Sequence, residues 1–157
     1  MTTGTKRYHI LAVDDEPSVC LAIKMLLEHE GHEVQTVDSG EAALALLEHN
    51  RFDLIVTDYS MVGMKGNQLA ATIKKRRPDQ PIIMATAFAA CFHPSGEPSG
   101  GVDCVLNKPF TLVELREAIA GVMSLKAAST ATAGPTASLA VPPKVPPPTH
   151  LGGSSST

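Results

Sequence analysis

The chain has 157 residues, a formal net charge of −3, 43% apolar residues and three cysteines. That length suffices for one domain with its own core. The slight acidity gives no general attraction to nucleic acid or anionic membrane, and no apolar run is long enough to span a bilayer.

The first residues, "MTTGTKRYH", lack the apolar stretch of a secretory signal, and an odd cysteine count without such a signal implies a reduced, cytoplasmic setting. Tyr8–Val13 reads as a buried strand that runs straight into Asp14, Asp15 and Glu16. Pro17 suits the first turn of a helix, and Val19, Ile23, Leu26 and Leu27 form a helical stripe that Gly31 ends. His32–Val37 alternates like an edge strand. Ser39 can cap the helix "GEAALALLEHN". Asp53–Thr57 is a second buried strand, followed by a helix over 67–77 with Leu69, Ala70 and Ile73 inward. Pro81–Thr86 is a third buried strand and Val102–Asn107 a further one. Thr111 and Glu114 make a capping box for a last helix lined by Leu112, Leu115, Ile119 and Val122.

Composition changes after Lys126. From Ala127 to Thr157 the chain is mostly Ala, Ser, Thr, Pro and Gly, too poor in large apolar groups to offset its ordering entropy. The expectation is a folded domain over 1–126 and a disordered tail over 127–157, with "VPPKVPPPT" favouring polyproline II. The basic run Lys74, Lys75, Arg76, Arg77 sits at a helix end before Pro78, where cations suit the helix dipole, a reading that outweighs a nucleic-acid patch because no basic or aromatic neighbour extends the run. Cys91, His93 and Cys104 fit no standard zinc spacing and lack a fourth ligand.

Alternating strands and helices point to an α/β fold: a parallel five-stranded sheet, covered on both faces, of flavodoxin-like order 2-1-3-4-5. In that order ligands bind at the carboxyl ends of strands 1 and 3. Asp14 and Asp15 follow strand 1, and Asp58 follows strand 3, so the three acids converge. Two carboxylates about 5 Å apart repel by roughly 3 kcal/mol at an effective dielectric near 20. Either one acid is protonated or a cation sits among them. Few carboxylates with room for water suit Mg²⁺. Acids after strands can also merely cap the next helix, and Glu16 before Pro17 is placed to do so. Thr86 closes strand 4 and Lys108 closes strand 5, bringing a hydroxyl and an ammonium to the same crevice. Such a set can hold phosphoryl oxygens, with an Asp as nucleophile.

With "VDDE", "LIVTDYSMVGMKG", "MATA" and "NKPF" at these separations, the chain resembles the receiver domain of two-component response regulators over Tyr8–Leu125. The resemblance implies that Asp58 accepts phosphate from a phosphohistidine on a sensor histidine kinase or phosphotransfer protein. It implies Mg²⁺ bound by Asp15 and Asp58, by Asp14 through water and by the Ser60 carbonyl. It implies contacts from Thr86 and Lys108 to the phosphoryl group, and a cis Lys108–Pro109 bond. A stand-alone receiver then signals by contact with an unidentified output protein. No helix-turn-helix pattern follows Leu125, which leaves DNA binding unsupported.

The sequence also departs from that family. "CFHPSGEPSGG" stands where receivers have their fourth helix, and its prolines and glycines predict a loop or only a short helix there. Val105 takes the place of an aromatic ring that moves on switching. Val62 and Lys65 replace a common proline and acid, and Lys65 is expected to face solvent. Phe88 is expected to shield the phosphoryl group from water. These departures keep open a phosphorylation-independent binding module as the alternative function. A Mg²⁺-dependent phosphatase or a nucleotide-binding enzyme is less well served: Glu16 stands where such phosphatases need a second Asp after Asp14, and no Gly-rich phosphate loop follows strand 1.

Overall fold

The computed structural model describes residues 6–87 and 101–132. Five strands, β1 (His9–Val13), β2 (Glu33–Val37), β3 (Leu54–Asp58), β4 (Ile82–Thr86) and β5 (Cys104–Asn107), alternate with α1 (Pro17–His29), α2 (Gly40–His49) and α3 (Gly66–Arg76); α4 (Leu112–Thr132) closes the series. All pairings are parallel and the order is β2-β1-β3-β4-β5, as the alternation of apolar runs predicts. The consequence for the site is that β1 and β3 are neighbours, with Val13 opposite Thr57.

Period-two alternation along the strands sorts the core into two layers. Ile10, Ala12, Leu54, Val56 and Ile83 face Ile23 and Leu27 of α1 and Leu115, Ile119 and Val122 of α4. Leu11, Val13, Ile55, Ile82 and Met84 face Ala43 and Leu47 of α2 and Leu69, Ala70 and Ile73 of α3. Strands buried on both faces read as continuous apolar runs, which is why β1, β3 and β4 stand out in the sequence.

Local signals hold the helix ends. Pro17 opens α1, and Gly31 ends it with φ of 91°, a left-handed value that glycine tolerates without strain. Ser39 Oγ accepts the Ala42 N–H at 3.2 Å to cap α2. Thr111 and Glu114 form the predicted reciprocal capping box: the Thr111 N–H donates to Glu114 Oε2 at 2.7 Å, and the Glu114 N–H donates to Thr111 Oγ1 at 3.2 Å. Asp103, just ahead of β5, takes the Ile82 N–H at 2.8 Å and Lys74 Nζ at 2.9 Å on one oxygen, joining the start of β4 to the end of α3.

Asp58 is the last residue of β3 rather than the first beyond it. The last helix continues to Thr132, past Lys126 where the sequence reading begins its tail. Ala127 and Ala128 are strong helix formers, and local propensity carries the helix on where there is little left to bury. The expected loop in place of the fourth helix, with Phe88, Cys91 and His93, lies outside the described residues, as do residues 133–157. No helix among the described residues is long and apolar enough to cross a membrane.

Candidate functional site

Asp14, Asp15 and Asp58 meet at the carboxyl rim of the sheet, with one carboxylate oxygen from each within 4.8 Å of the others. Asp14 and Asp58 are buried, at 2% and 8% exposure, and Asp15 is half-buried. Burial raises the cost of gathering like charges, and each acid is held by specific donors. Asp14 Oδ1 accepts the Glu16 N–H at 2.9 Å. Asp15 Oδ2 accepts the Val62 N–H at 2.9 Å, which ties the β1 end to the turn after β3. Glu16 does stand at the N-cap of α1, but its side chain makes no capping bond to the helix.

Lys108 supplies the positive charge. Its backbone N–H donates to the Thr86 carbonyl at 2.8 Å, so the end of β5 is fixed beside the end of β4. From there Nζ reaches Asp14 Oδ2 at 2.7 Å and Asp58 Oδ1 at 3.1 Å. Partial burial works against the ammonium, but hydrogen bonds and charge from Asp14 and Asp58 outweigh it and hold its pKa above the ordinary lysine value. The Lys108–Pro109 peptide bond is cis, as the resemblance implies.

Thr86 is buried at the last position of β4, next to β3, where Asp58 pairs with Ala85. Ser60 is exposed in the turn after β3. Lys65 is exposed, as expected, and Val105 packs as an ordinary core-facing strand residue. Three supporting groups were not visible in the sequence. The Val62 peptide N–H is one, since any residue but proline could donate it. Cys20 is another: its buried thiol donates to the Asp14 carbonyl at 3.2 Å, and burial, with the nearby Asp14 charge, pushes its pKa up. Gly66 is the third; a Cβ there would lie 2.2 Å from the Asp58 carbonyl oxygen.

Three carboxylates around one ammonium leave a formal excess of two negative charges. An all-oxygen donor set of that charge suits a hard divalent cation such as Mg²⁺, and the chemistry of the cluster is consistent with such a site.

The family model for the response regulator receiver domain matches residues 10–120. Curated relatives include the transcriptional regulatory protein TcrA of Mycobacterium tuberculosis, 36% identical over 106 residues that make up 68% of this chain and 42% of that protein. The heme response regulator HssR of Staphylococcus aureus is 42% identical over 105 residues, 67% of this chain and 46% of that protein. The chain thus spans less than half the length of these relatives. Among solved structures, the response regulator TrrA of Thermotoga maritima in complex with Mg²⁺-BeF has 35% identity and a TM-score of 0.66, over 75% of this chain and 99% of that one. A CheY-like receiver domain protein of Methanospirillum hungatei has 29% identity and a TM-score of 0.70, over 79% and 99%. The sheet order, the acid cluster and these likenesses agree: the chain belongs to the response regulator receiver family, phosphoacceptor domains of two-component signalling that catalyse only their own phosphorylation and dephosphorylation.

Proposed function

We propose that Asp58 is the phosphoacceptor, taking its phosphoryl group from a phosphohistidine of a sensor histidine kinase or phosphotransfer protein, and that the phosphorylated chain signals by contact with an output protein. The observation that carries this reading is Lys108 Nζ lying between Asp14 and Asp58 at the rim where the three acids converge. The likeness to TrrA, whose structure holds Mg²⁺-BeF, supports it.

Asp58 Oδ attacks phosphorus as the P–N bond of the donor breaks. The electron pair leaves with the imidazole nitrogen, and an acyl phosphate forms on Asp58. Asp14, Asp15, Asp58 and the Ser60 carbonyl would hold Mg²⁺, which when bound offsets charge on the acids and on the incoming phosphoryl oxygens. The Glu16 and Val62 N–H groups keep Asp14 and Asp15 aimed before the donor arrives, so little reorganisation remains for the reaction itself. Lys108, freed from Asp58 as that carboxylate is esterified, pairs with a phosphoryl oxygen, and the Thr86 hydroxyl donates to another.

A small-molecule phosphodonor with Mg²⁺ tests the reading. Mass spectrometry should show one added phosphoryl group on the wild type, none on Asp58→Asn, and none for either protein in excess EDTA. A folded wild-type chain left unlabelled would instead favour a phosphorylation-independent binding module.

A further inference from the structure

We propose that the cleft between the end of α1 and the first turns of α4 is a binding site for a small apolar monocarboxylate, an acid of about benzoate size. The cleft has a volume of about 160 Å³, close to the roughly 150 Å³ that accepts a benzene ring in an apolar cavity. Its floor is apolar: Leu27 and Ile119 are 1% and 4% exposed, and Leu112 adds a further wall. Such a surface takes a hydrocarbon body out of water, and a few placed polar groups then fix its orientation.

His32 is one of those groups. It lines the cleft and is only 8% exposed. Its Nδ1 accepts the Tyr8 N–H at 3.3 Å, and a peptide N–H can only donate, so in the neutral ring the proton sits on Nε2. Burial lowers the ring's pKa below the ordinary 6.5, which favours that neutral form. Nε2–H has no acceptor among the described residues, where Asn67 Oδ1 is the one side-chain atom both wholly buried and unpartnered. The Nε2–H therefore still reaches accessible space, and a ligand that supplies an acceptor there satisfies a donor the fold leaves open.

Charge decides which acceptor. The cleft is lined by two cations, Lys6 and Arg116, and one acid, Glu30. Glu30 is already engaged, since Arg116 Nη2 donates to its Oε1 at 2.7 Å. Lys6 enters no ion pair among the described residues; its ammonium lies 5.7 Å from the centre of the Tyr8 ring. One ammonium and one N–H donor thus stand beside an apolar floor, and a carboxylate answers both with charge-assisted bonds. A neutral alcohol would leave Lys6 unpaired, and inorganic phosphate would leave Leu27 and Ile119 uncovered. Tyr8 and Asp14 flank β1 at opposite ends, and its five residues span about 16 Å, so a ligand beside Tyr8 leaves Asp58 open.

The test is a titration of the full chain with sodium benzoate at constant ionic strength, followed in ¹H–¹⁵N correlation spectra. Saturable shifts should appear at the Tyr8, His32 and Arg116 N–H groups, with a Kd of about 1 mM or tighter. Acetate, which lacks the ring, and benzyl alcohol, which lacks the charge, should each bind at least about tenfold more weakly. Lys6→Gln should weaken benzoate about fivefold, and Ala120→Leu, which fills the cleft from the α4 side, should abolish the shifts. Far-UV circular dichroism matching wild type separates a blocked site from a lost fold, and if Ala120→Leu misfolds, the exposed Lys6→Gln decides alone. Benzyl alcohol or acetate binding as well as benzoate, unchanged affinity in Lys6→Gln, undiminished shifts in folded Ala120→Leu, or no shift up to about 10 mM benzoate would each overturn the proposal.

Discussion

Gly66 has no space for a methyl group. A Cβ there would sit 2.2 Å from the Asp58 carbonyl oxygen and 2.9 Å from the Tyr59 Cα. Backbone cannot swing aside as a side-chain tip can, so Gly66→Ala must displace either the start of α3 or the end of β3. The expected cost is about 1–3 kcal/mol, read as a lower urea midpoint, together with slower phosphoryl labelling because Asp58 moves with its strand. The residues whose side chains the fold gathers at the carboxyl rim were legible. Asp14, Asp15 and Asp58 end two strands that the topology must place side by side, and Lys108 and Thr86 end the next two. What supports them was not. The donor to Asp15 is a peptide N–H, at a position where the side chain says nothing. The inward direction of Cys20 depends on a shift of the α1 stripe by one residue, from Val19 to Cys20, that periodicity alone does not resolve. Gly66 stood in a recognisable motif, but the close approach that demands glycine became visible only in three dimensions.

At the scale of elements, capping and burial decided most boundaries, and they agree with the sequence to within one or two residues except at the last helix. There the two signals conflict. The burial of Leu115, Ile119 and Val122 accounts for α4 up to about Lys126, while alanine propensity and a strong start account for the rest. The Thr111–Glu114 box satisfies backbone donors that would otherwise be orphaned. Thr111→Ala should therefore cost about 1 kcal/mol of stability, measured by chemical denaturation, with partial recovery in Thr111→Ser. A change well below that would mean that packing on the sheet, rather than the cap, sets where α4 begins.

At the scale of the whole molecule, ionisable groups are placed so that their state is felt by the fold. His32 joins the turn after α1 to the start of β1. Its ring stacks on Tyr8 at 5.5 Å between centroids, and Nδ1 accepts the Tyr8 N–H at 3.3 Å. Burial lowers its pKa below the ordinary 6.5, although the Glu30 charge acts the other way. The unfolded chain therefore binds a proton more readily than the native one. The stability that neutral His32 supports is fully present above pH 6.5 and is lost as pH falls through the native pKa. Urea midpoints between about pH 7 and 5 should decline, and His32→Asn should flatten that decline while retaining an acceptor for the Tyr8 N–H. An equally steep profile in the variant would place the titrating group elsewhere.

Asp103 bears on how this protein can change over evolutionary time. Its carboxylate fastens the entry of β5 to β4 and α3, while at the far end the Lys108 N–H closes on Thr86. Both clasps are made by groups outside residues 88–100. Sequence change in that stretch leaves the groups of both clasps in place, so selection can act there without touching the two links that tie β4 to β5.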